Sequence, residues 1–291
     1  MRPIPEIFST AVLSAVAMLV APAAAQAGCG PEAEACEMIG GRYHLVLPAG
    51  DSVGGTGSSP AVMFLHGHGG SGAGVLRMTG MVSALTARGY AVIAPDGAPR
   101  PGSGTRSWTF LAGNPERRDD FAFLPAVLED AAARFDIDAE SSVLAGFSSG
   151  AFMVNYLACQ DPEAFAAYLP VSGGFWRPQP THCAGPVELY HSHGWKDGTV
   201  PLEGRTLGGG RFIQGDIWAG LELWRETLGC GGHAPDRIWQ AGALMLRRWS
   251  CGTGAEITFE LFPGGHGVPS GWADRVLDWY EDPMRRRSAT E

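Results

Sequence analysis

The feature that most constrains the fold is the stretch SSVLAGFSSGAFMVNYLAC, residues 141–159. It joins a short apolar strand pattern at 142–145 to an apolar helical pattern at 149–159. The turn GFSSG, residues 146–150, lies directly between the two patterns, so the chain must change direction sharply there. Glycine makes up 42 of the 291 residues, and a G-x-S-x-G pattern alone therefore carries little weight. Its position between a strand and a helix is what makes it informative.

The same alternation of short apolar runs and helical patterns recurs along the chain. Strands are predicted at residues 43–47, 61–65, 90–94, 142–145, 167–171, 187–191 and 257–262. Helices are predicted at residues 75–88, 120–135, 149–159, 217–228 and 272–280. Strands that alternate with helices indicate an α/β fold with a mainly parallel central sheet and helices on both faces. We expect a single domain over residues 28–291, with a flexible tail from about residue 282.

Composition narrows the classes of function. The formal net charge is −9, and no basic face is available to neutralise phosphates, so we do not expect a nucleic-acid partner. Hydrophobic residues make up 45% of a chain long enough to bury a large core. The composition therefore fits a globular enzyme or binding protein.

The N-terminal residues 1–27 have the pattern of a secretory signal peptide. Arg2 precedes an apolar run at 11–20, and the small-residue sequence AQA at 25–27 is typical of a cleavage site. The alternatives are an uncleaved membrane anchor, which the early end of the apolar run disfavours, and a lipid-anchored form modified at Cys29. We expect a secreted protein, periplasmic or extracellular, with no membrane contact after cleavage.

Six cysteines in an exported chain predict three disulfides, although fifteen pairings are formally possible. Cys29 and Cys36 are close in sequence, and Cys230 and Cys251 flank a Gly-rich stretch, which leaves Cys159 with Cys183. A zinc site made of cysteines is not expected, because the chain has no C-x-x-C motif.

Three residues on successive predicted strand ends form a candidate catalytic set. Ser148 occupies the middle of GFSSG, where a sharp turn exposes its hydroxyl at a helix N-terminus. A serine hydroxyl needs a base and an orienting acid at neutral pH. Asp197 follows the strand at 187–191 in HGWKDGTVP, and His266 follows the strand at 257–262 in PGGHGVPSGW. Their order, Ser-Asp-His, is the one found in hydrolases with this strand-turn-helix element.

A fourth element is the Gly-rich loop LHGHGGSG at 65–72, which follows a predicted strand. Its glycines allow backbone N–H groups to point inward, so the amides of His68 and Ser149 are candidate donors to an oxyanion. Taken singly, each of the four elements is more often an ordinary turn or loop. Their joint occurrence on the correct strand ends favours the catalytic interpretation.

Two histidine pairs raise a different hypothesis, a metallohydrolase. His66 and His68, like His191 and His193, are alternate residues near predicted strand ends and could share a metal ion. No H-E-x-x-H motif is present, and both pairs are explained as strand ends of a serine hydrolase, so no metal is expected.

Four tryptophans follow predicted strands and are candidates for a substrate-binding rim. They are Trp108, Trp176, Trp195 and Trp272. Their rings could hold an acyl chain or a phenolic ring, although a buried structural role is equally compatible with each position.

With these residues in place, the chain resembles the α/β-hydrolases that include secreted polyhydroxybutyrate depolymerases and feruloyl and acetylxylan esterases. The resemblance spans about 41–280 and rests on LHGHGGSG, DDFAFLPAVLEDAAARFDIDAESSVLAGFSSGAFM, HGWKDGTVP and GGHGVP. It implies a carboxylesterase with Ser148 as nucleophile, His266 as base, Asp197 as orienting acid, and the His68 and Ser149 amides as oxyanion donors. It implies no cofactor.

The resemblance also supports the pairings of Cys159 with Cys183 and of Cys230 with Cys251. The sequence departs from the pattern at His68, where a cysteine is frequent, and in GVPSGW after His266, where TWP is common. Both departures lie near the acyl pocket, so they affect the choice of substrate more than the mechanism.

The expected substrate is a polyester or a hydroxyacid oligomer, and the alternative is a feruloyl or acetylxylan ester of plant polysaccharide. We expect a monomer without a dedicated polymer-binding domain, acting on accessible esters. A hypothesis of another class is a secreted binding protein that has this fold but no activity. The complete catalytic set argues against it.

Overall fold

The computed structural model describes residues 28–30, 32, 34–48, 57–111 and 117–282. The predicted signal peptide at 1–27 lies outside the described residues, as does the predicted tail beyond residue 282.

Ten strands form one sheet, and two short hairpins lie outside it. The strands are β1 Cys36–Met38, β2 Gly41–Val46, β3 Ser59–Leu65, β4 Ala91–Pro95, β5 Ala98–Pro99, β6 Arg106–Ser107, β7 Ile137–Phe147, β8 Tyr168–Val171, β9 Leu189–Gly194, β10 Arg205–Leu207, β11 Phe212–Gln214, β12 Arg237–Ala241, β13 Leu244–Ser250 and β14 Glu256–Phe262. The helices are α1 Gly72–Leu76, α2 Thr79–Ala87, α3 Asp120–Phe135, α4 Ser149–Gln160, α5 Ile217–Leu228 and α6 Trp272–Glu281.

The large sheet has the order β1-β2-β4-β3-β7-β8-β9-β14-β13-β12. The six strands from β4 to β14 are parallel to their neighbours, and antiparallel strands extend the sheet at both edges. The hairpins β5–β6 and β10–β11 form separate two-stranded sheets. The predicted α/β fold is therefore confirmed, and all seven predicted strands are present.

The sheet is buried on both faces, which explains why its central strands are continuous apolar runs. Along β3, Ala61, Met63 and Leu65 belong to one core, while Val62 and Phe64 belong to the other. Helices α3, α4 and α5 cover the first face, and α1, α2 and α6 cover the second. This alternation follows from the two-residue period of a strand.

Two parts of the structure differ from the sequence prediction. The single helix predicted at 75–88 is divided into α1 and α2, with the break at Arg77 and Met78. Helix α1 begins earlier than predicted, because the Ser71 hydroxyl accepts a hydrogen bond from the Gly74 N–H and caps the helix. The Gly-rich stretch between Cys230 and Cys251 contains the antiparallel hairpin β12–β13 at one sheet edge.

Three disulfides join Cys29 to Cys36, Cys159 to Cys183, and Cys230 to Cys251. These are the pairs expected from the sequence. The second ties the end of α4 to the segment before β9, and the third ties the end of α5 to the end of β13. Within the described part of the chain, the helices are all too short or too polar to cross a membrane.

Candidate active site

Ser148 lies between β7 and α4 in a backbone conformation that non-glycine residues rarely adopt. Its φ is 55° and its ψ is −115°, a strained combination that occurs mainly at functional sites. The turn is held by a hydrogen bond from the Ser148 N–H to the carbonyl oxygen of Val171, 2.9 Å long. The strained turn lifts the Ser148 side chain into a cleft above the carboxyl ends of the strands.

The two flanking glycines are required by close backbone contacts. A Cβ atom on Gly146 would lie 2.7 Å from the carbonyl carbon of Gly150. A Cβ atom on Gly150 would lie 2.3 Å from the carbonyl oxygen of Leu65. Both distances are shorter than real Cβ atoms show, so neither position accepts a side chain without backbone movement.

His266 and Asp197 reach Ser148 from two neighbouring strand ends. His266 Nε2 lies 2.8 Å from Ser148 Oγ, and His266 Nδ1 lies 2.7 Å from Asp197 Oδ2. The loops after β9 and β14 meet at Gly194, where a Cβ atom would lie 2.3 Å from the carbonyl oxygen of Gly265. The structure thus brings the three predicted catalytic residues into one hydrogen-bonded row.

The Asp197 carboxylate is buried and fully supplied with donors. Its Oδ1 accepts hydrogen bonds from the N–H groups of Thr199 and Val200, each 2.8 Å long. Burial pushes the pKa of Asp197 upward, but the hydrogen bonds from His266, Val200 and Thr199 outweigh it and hold the pKa below its usual value. Asp197 therefore stays ionised and keeps the proton of His266 on Nδ1.

The buried His191 and His193 lie next to the turn that contains Asp197 and Val200. His193 Nε2 donates to the carbonyl oxygen of Val200 at 2.8 Å, so its Nδ1 is the acceptor for His191 Nε2 at 3.3 Å. Burial lowers the pKa of both imidazoles, that of His191 most strongly, and both are neutral. The pair fixes the turn that carries Asp197.

The histidine pairs do not form the metal site considered from the sequence. His66 Nε2 accepts from the Gly97 N–H at 2.9 Å, and its Nδ1 donates to the Gly67 carbonyl oxygen at 2.7 Å. Both nitrogens of His66 and of His193 are therefore engaged with protein groups. In the described ranges, no three His, Cys, Asp or Glu side chains are grouped as metal ligands.

His68 and Ser149 both line the cleft beside Ser148. Their backbone N–H groups donate to no acceptor among the described residues, and Ser149 is the first residue of α4, where a free N–H is normal. The loop reverses at Gly69, whose φ is 76°. The two amides thus remain candidates for the predicted oxyanion role.

The cleft has a volume of about 390 Å³ and an aromatic wall. The ring of Phe110 stacks on Phe152 at 5.6 Å and on Trp176 at 6.3 Å, measured between ring centroids. Phe212 meets Trp176 edge-on at 6.2 Å. This size and lining are typical of a site for a small organic ligand.

Of the four predicted rim tryptophans, only Trp176 lines the cleft. Trp108 is 1% exposed, and its indole N–H donates to the carbonyl oxygen of His66, so it is a core residue. Trp272 is also 1% exposed and packs edge-on against Phe64. Trp195 is exposed but lies outside the cleft lining. For Trp108 and Trp272 the rim prediction was wrong, because burial of a large ring in the core outweighs its position after a strand.

Several cleft residues were missed because they lie on the two short hairpins. Arg100 and Ser107 come from the β5–β6 hairpin, and Arg205 and Phe212 come from β10–β11. These segments are too short to give a periodic signal in the sequence. Phe152 lies in the helix predicted at 149–159 and Phe110 lies outside every predicted element, and nothing in the sequence distinguishes either of them from a core residue.

The fold agrees with that of known esterases. The acetyl xylan esterase from Aspergillus awamori superposes with a TM-score of 0.59 at 16% identity, covering 82% of this chain and 93% of that one. The chain therefore has the α/β-hydrolase fold. The family model described as the prolyl oligopeptidase family matches this chain over residues 77–177.

Relatives of this chain carry esterase names. "Probable feruloyl esterase C" of Aspergillus niger is 28% identical over 91% of this chain and 93% of its own length. A protein of Nocardia uniformis subsp. tsuyamanensis that is named as an esterase is 30% identical over 149 residues, which is 50% of this chain and 42% of that protein. These comparisons confirm the resemblance to feruloyl esterases in sequence and to an acetylxylan esterase in fold.

Proposed function

We propose that this protein is a serine carboxylesterase that works through an acyl-enzyme on Ser148. The observation that carries this proposal is the hydrogen-bonded row of Ser148, His266 and Asp197 at a strained turn. His266 Nε2 takes the proton from the Ser148 hydroxyl as its oxygen attacks the ester carbonyl carbon. Asp197 holds the tautomer of His266 and stabilises the positive charge that forms on the ring.

The tetrahedral intermediate places its oxyanion between the N–H groups of His68 and Ser149. His266 then gives its proton to the leaving alcohol, and the acyl group stays bonded to Ser148 Oγ. A water molecule, deprotonated by His266, attacks the acyl carbon and releases the acid and the free serine. Each step uses protein groups and water, and it needs no cofactor.

An ester with an aromatic acyl group, such as a feruloyl ester, is the first candidate substrate. The stacked rings of Phe110, Phe152 and Trp176 form one wall of the cleft next to Ser148. A planar phenolic ring packs well against such a wall. The names of the Aspergillus relatives support the same candidate.

Hydroxyacid oligomers, as in polyhydroxybutyrate breakdown, are the second candidate. Arg100 and Arg205 are part of the cleft lining, and no Asp or Glu is among the described residues that form it. A short polyester oligomer has an apolar chain and a terminal carboxylate, and both features match this lining. Acetylated xylan is a third possibility, supported by the A. awamori neighbour in fold alone.

We also propose that the protein is secreted and acts as a monomer. Three disulfides are the support for secretion, because disulfides persist in oxidising compartments. The cleft is formed by residues of one chain, so no second copy is needed to complete it.

A substrate panel tests the proposal. It contains short-chain p-nitrophenyl esters, methyl ferulate, hydroxybutyrate oligomers and acetylated xylan, assayed with wild type and Ser148→Ala. We expect wild type to hydrolyse at least one ester class and Ser148→Ala to hydrolyse none. Full activity in Ser148→Ala would contradict the proposed nucleophile. If the purified, folded wild type hydrolysed no ester, the inactive binding protein would be the better interpretation.

A further inference from the structure

Two features of the cleft, its pair of arginines and the lack of a carboxylate among its described lining residues, favour an anionic ligand over a neutral ester. The chain has a net charge of −9, yet the described residues that line the cleft include Arg100 and Arg205 and no carboxylate. The positive charge of this cleft is therefore a local property of its lining and is opposite in sign to the net charge of the chain. Such a site concentrates anions at its mouth.

The two arginines come from two different hairpins that contribute to the cleft lining. Arg100 lies at the turn of the β5–β6 hairpin, where its N–H donates to the carbonyl oxygen of Thr105 at 2.8 Å. Arg205 begins β10, and its side chain donates to the oxygens of Gln214 and Gly198 at 3.1 and 3.2 Å. Both hairpins lie outside the main sheet, and each contributes one cation to the mouth.

Neither guanidinium is neutralised by a carboxylate of the described residues. In the part of the chain that the structure describes, no carboxylate forms an ion pair with Arg100 or Arg205. The neighbouring Arg106, by contrast, lies 3.6 Å from the Asp96 carboxylate. The Gln214 amide and the Gly198 carbonyl accept hydrogen bonds from the Arg205 guanidinium, but these neutral groups do not compensate its charge.

The positive field extends to the catalytic end of the cleft. Burial lowers the pKa of His68, and the charges of Arg100 and Arg117 lower it further, so the imidazole is neutral. Arg117 also has a buried Nε without a hydrogen-bond partner among the described residues. The charges of Arg100 and Arg117 therefore reach His68, which lines the cleft beside Ser148.

We infer that the cleft selects esters that carry a free carboxylate, and that Arg100 and Arg205 bind this group. The inference rests on the proposed function and specifies its substrate class. A guanidinium binds a carboxylate through two parallel hydrogen bonds, which an alkyl or methyl ester group cannot accept in the same way. The carboxylate can belong to the acyl part, which stays on Ser148, or to the alcohol part, which leaves.

Two pairs of substrates test the inference and separate these sources. Mono-p-nitrophenyl glutarate and p-nitrophenyl pentanoate have equally long acyl chains and differ in a terminal carboxylate on the acyl side. The hydroxybutyrate dimer as free acid and as methyl ester differ in a carboxylate on the alcohol side. We expect wild type to favour the anionic member of one pair by about tenfold or more in kcat/KM, which equals about 1.4 kcal/mol.

The variants are Arg100→Gln, Arg205→Gln and the double variant. We expect the anionic-to-neutral ratio to fall about tenfold in the double variant, mainly through KM, and to be partly kept in Arg100→Lys. Salt should lower the ratio in wild type, because ions screen an exposed charge pair. Arg237→Gln is the matched control, since Arg237 is exposed on β12 and lies over the ring of Trp239.

Two results would overturn the inference and leave the proposed function intact. The first is hydrolysis of both pairs by wild type without an anionic preference. The second is an equal loss for anionic and neutral esters in the arginine variants, which would assign Arg100 and Arg205 to the oxyanion or to folding. If wild type hydrolysed neither pair, the proposed function would fail together with the inference.

Discussion

Gly150 lies so close to Leu65 that a Cβ atom on it would approach the Leu65 carbonyl oxygen to 2.3 Å. Leu65 ends β3 and leads into the loop that contains His68, while Gly150 follows the turn that contains Ser148. The contact therefore sets the spacing between the proposed nucleophile and one proposed oxyanion donor. A glycine is needed here because two backbones meet, not because the turn is flexible.

Gly150→Ala should destabilise the protein by about 3 kcal/mol and abolish activity in the folded fraction, because β3 and α4 must separate. Urea unfolding and an ester assay measure the two effects. Gly80→Ala is the control, since Gly80 lies in α2 with no atom within 4 Å of an added Cβ. That change should leave stability equal or raise it by up to about 1 kcal/mol. Equal stability of the Gly150 and Gly80 variants would refute the close contact.

Asp197→Asn should lower kcat by a factor on the order of 10³ to 10⁴ with little change in KM. The amide cannot stabilise the positive imidazole, and it favours the wrong tautomer of His266. Steady-state kinetics on a p-nitrophenyl ester measures the loss. Glu203→Gln is the control, because Glu203 is exposed and is not hydrogen-bonded to Ser148, His266 or Asp197. Its kcat should stay close to that of wild type. A loss of less than about tenfold in Asp197→Asn would show that another group orients His266.

Ser149→Ala separates the side chain of Ser149 from its backbone. The Ser149 hydroxyl is hydrogen-bonded to the hydroxyl of Ser107 at 3.1 Å, and both atoms are buried. The variant should lose about 1 kcal/mol of unfolding free energy and keep most of its kcat, because alanine retains the N–H proposed for the oxyanion. Thermal unfolding and kinetics check this. A loss of activity as large as that of Ser148→Ala would mean that the hydroxyl itself takes part.

Acidification should destabilise the protein through His191. Burial lowers its pKa well below the ordinary 6.5, so the unfolded chain binds a proton that the folded chain does not. The unfolding free energy therefore falls as pH drops below about 6.5, by up to about 1.4 kcal/mol per pH unit from this group. The ring of His191 packs edge-on against Phe259 and contacts His193. Among the described residues, His193 is the one titratable group that acts on the pKa of His191.

His191→Leu should flatten this pH dependence, and His182→Leu, on an exposed segment, should not. The measurement is urea unfolding between about pH 7 and about pH 5. An unchanged slope in His191→Leu would contradict a neutral, buried His191.

The sequence predicted the parts of this protein whose signals are local. The strand at 257–262 and the helix Asp120–Phe135 were found because apolar periodicity reports burial on a sheet or helix face. The positions of Asp197 and His266 after their strands followed from the topology, since parallel strands bring their carboxyl ends to one edge. The distances between them came only from the structure.

The part of the cleft lining that comes from the β10–β11 hairpin could not be predicted from the sequence. Arg205 and Phe212 lie on three-residue strands that have no periodicity of their own, and their place is set by pairing across a Gly-rich turn. The rim prediction for Trp108 and Trp272 was wrong for a different reason. A position after a strand does not tell whether the ring points into the core or into the cleft. Aromatic residues of cleft and core look alike until the packing is known.

The most direct test of the central claim is covalent labelling with an organophosphonate ester, followed by mass spectrometry of the intact protein and of its peptides. The account predicts one adduct per chain, located on Ser148 and absent in Ser148→Ala, with labelling strongly slowed in His266→Ala. An adduct on any other residue, or an unlabelled wild type that still hydrolyses esters, would contradict it.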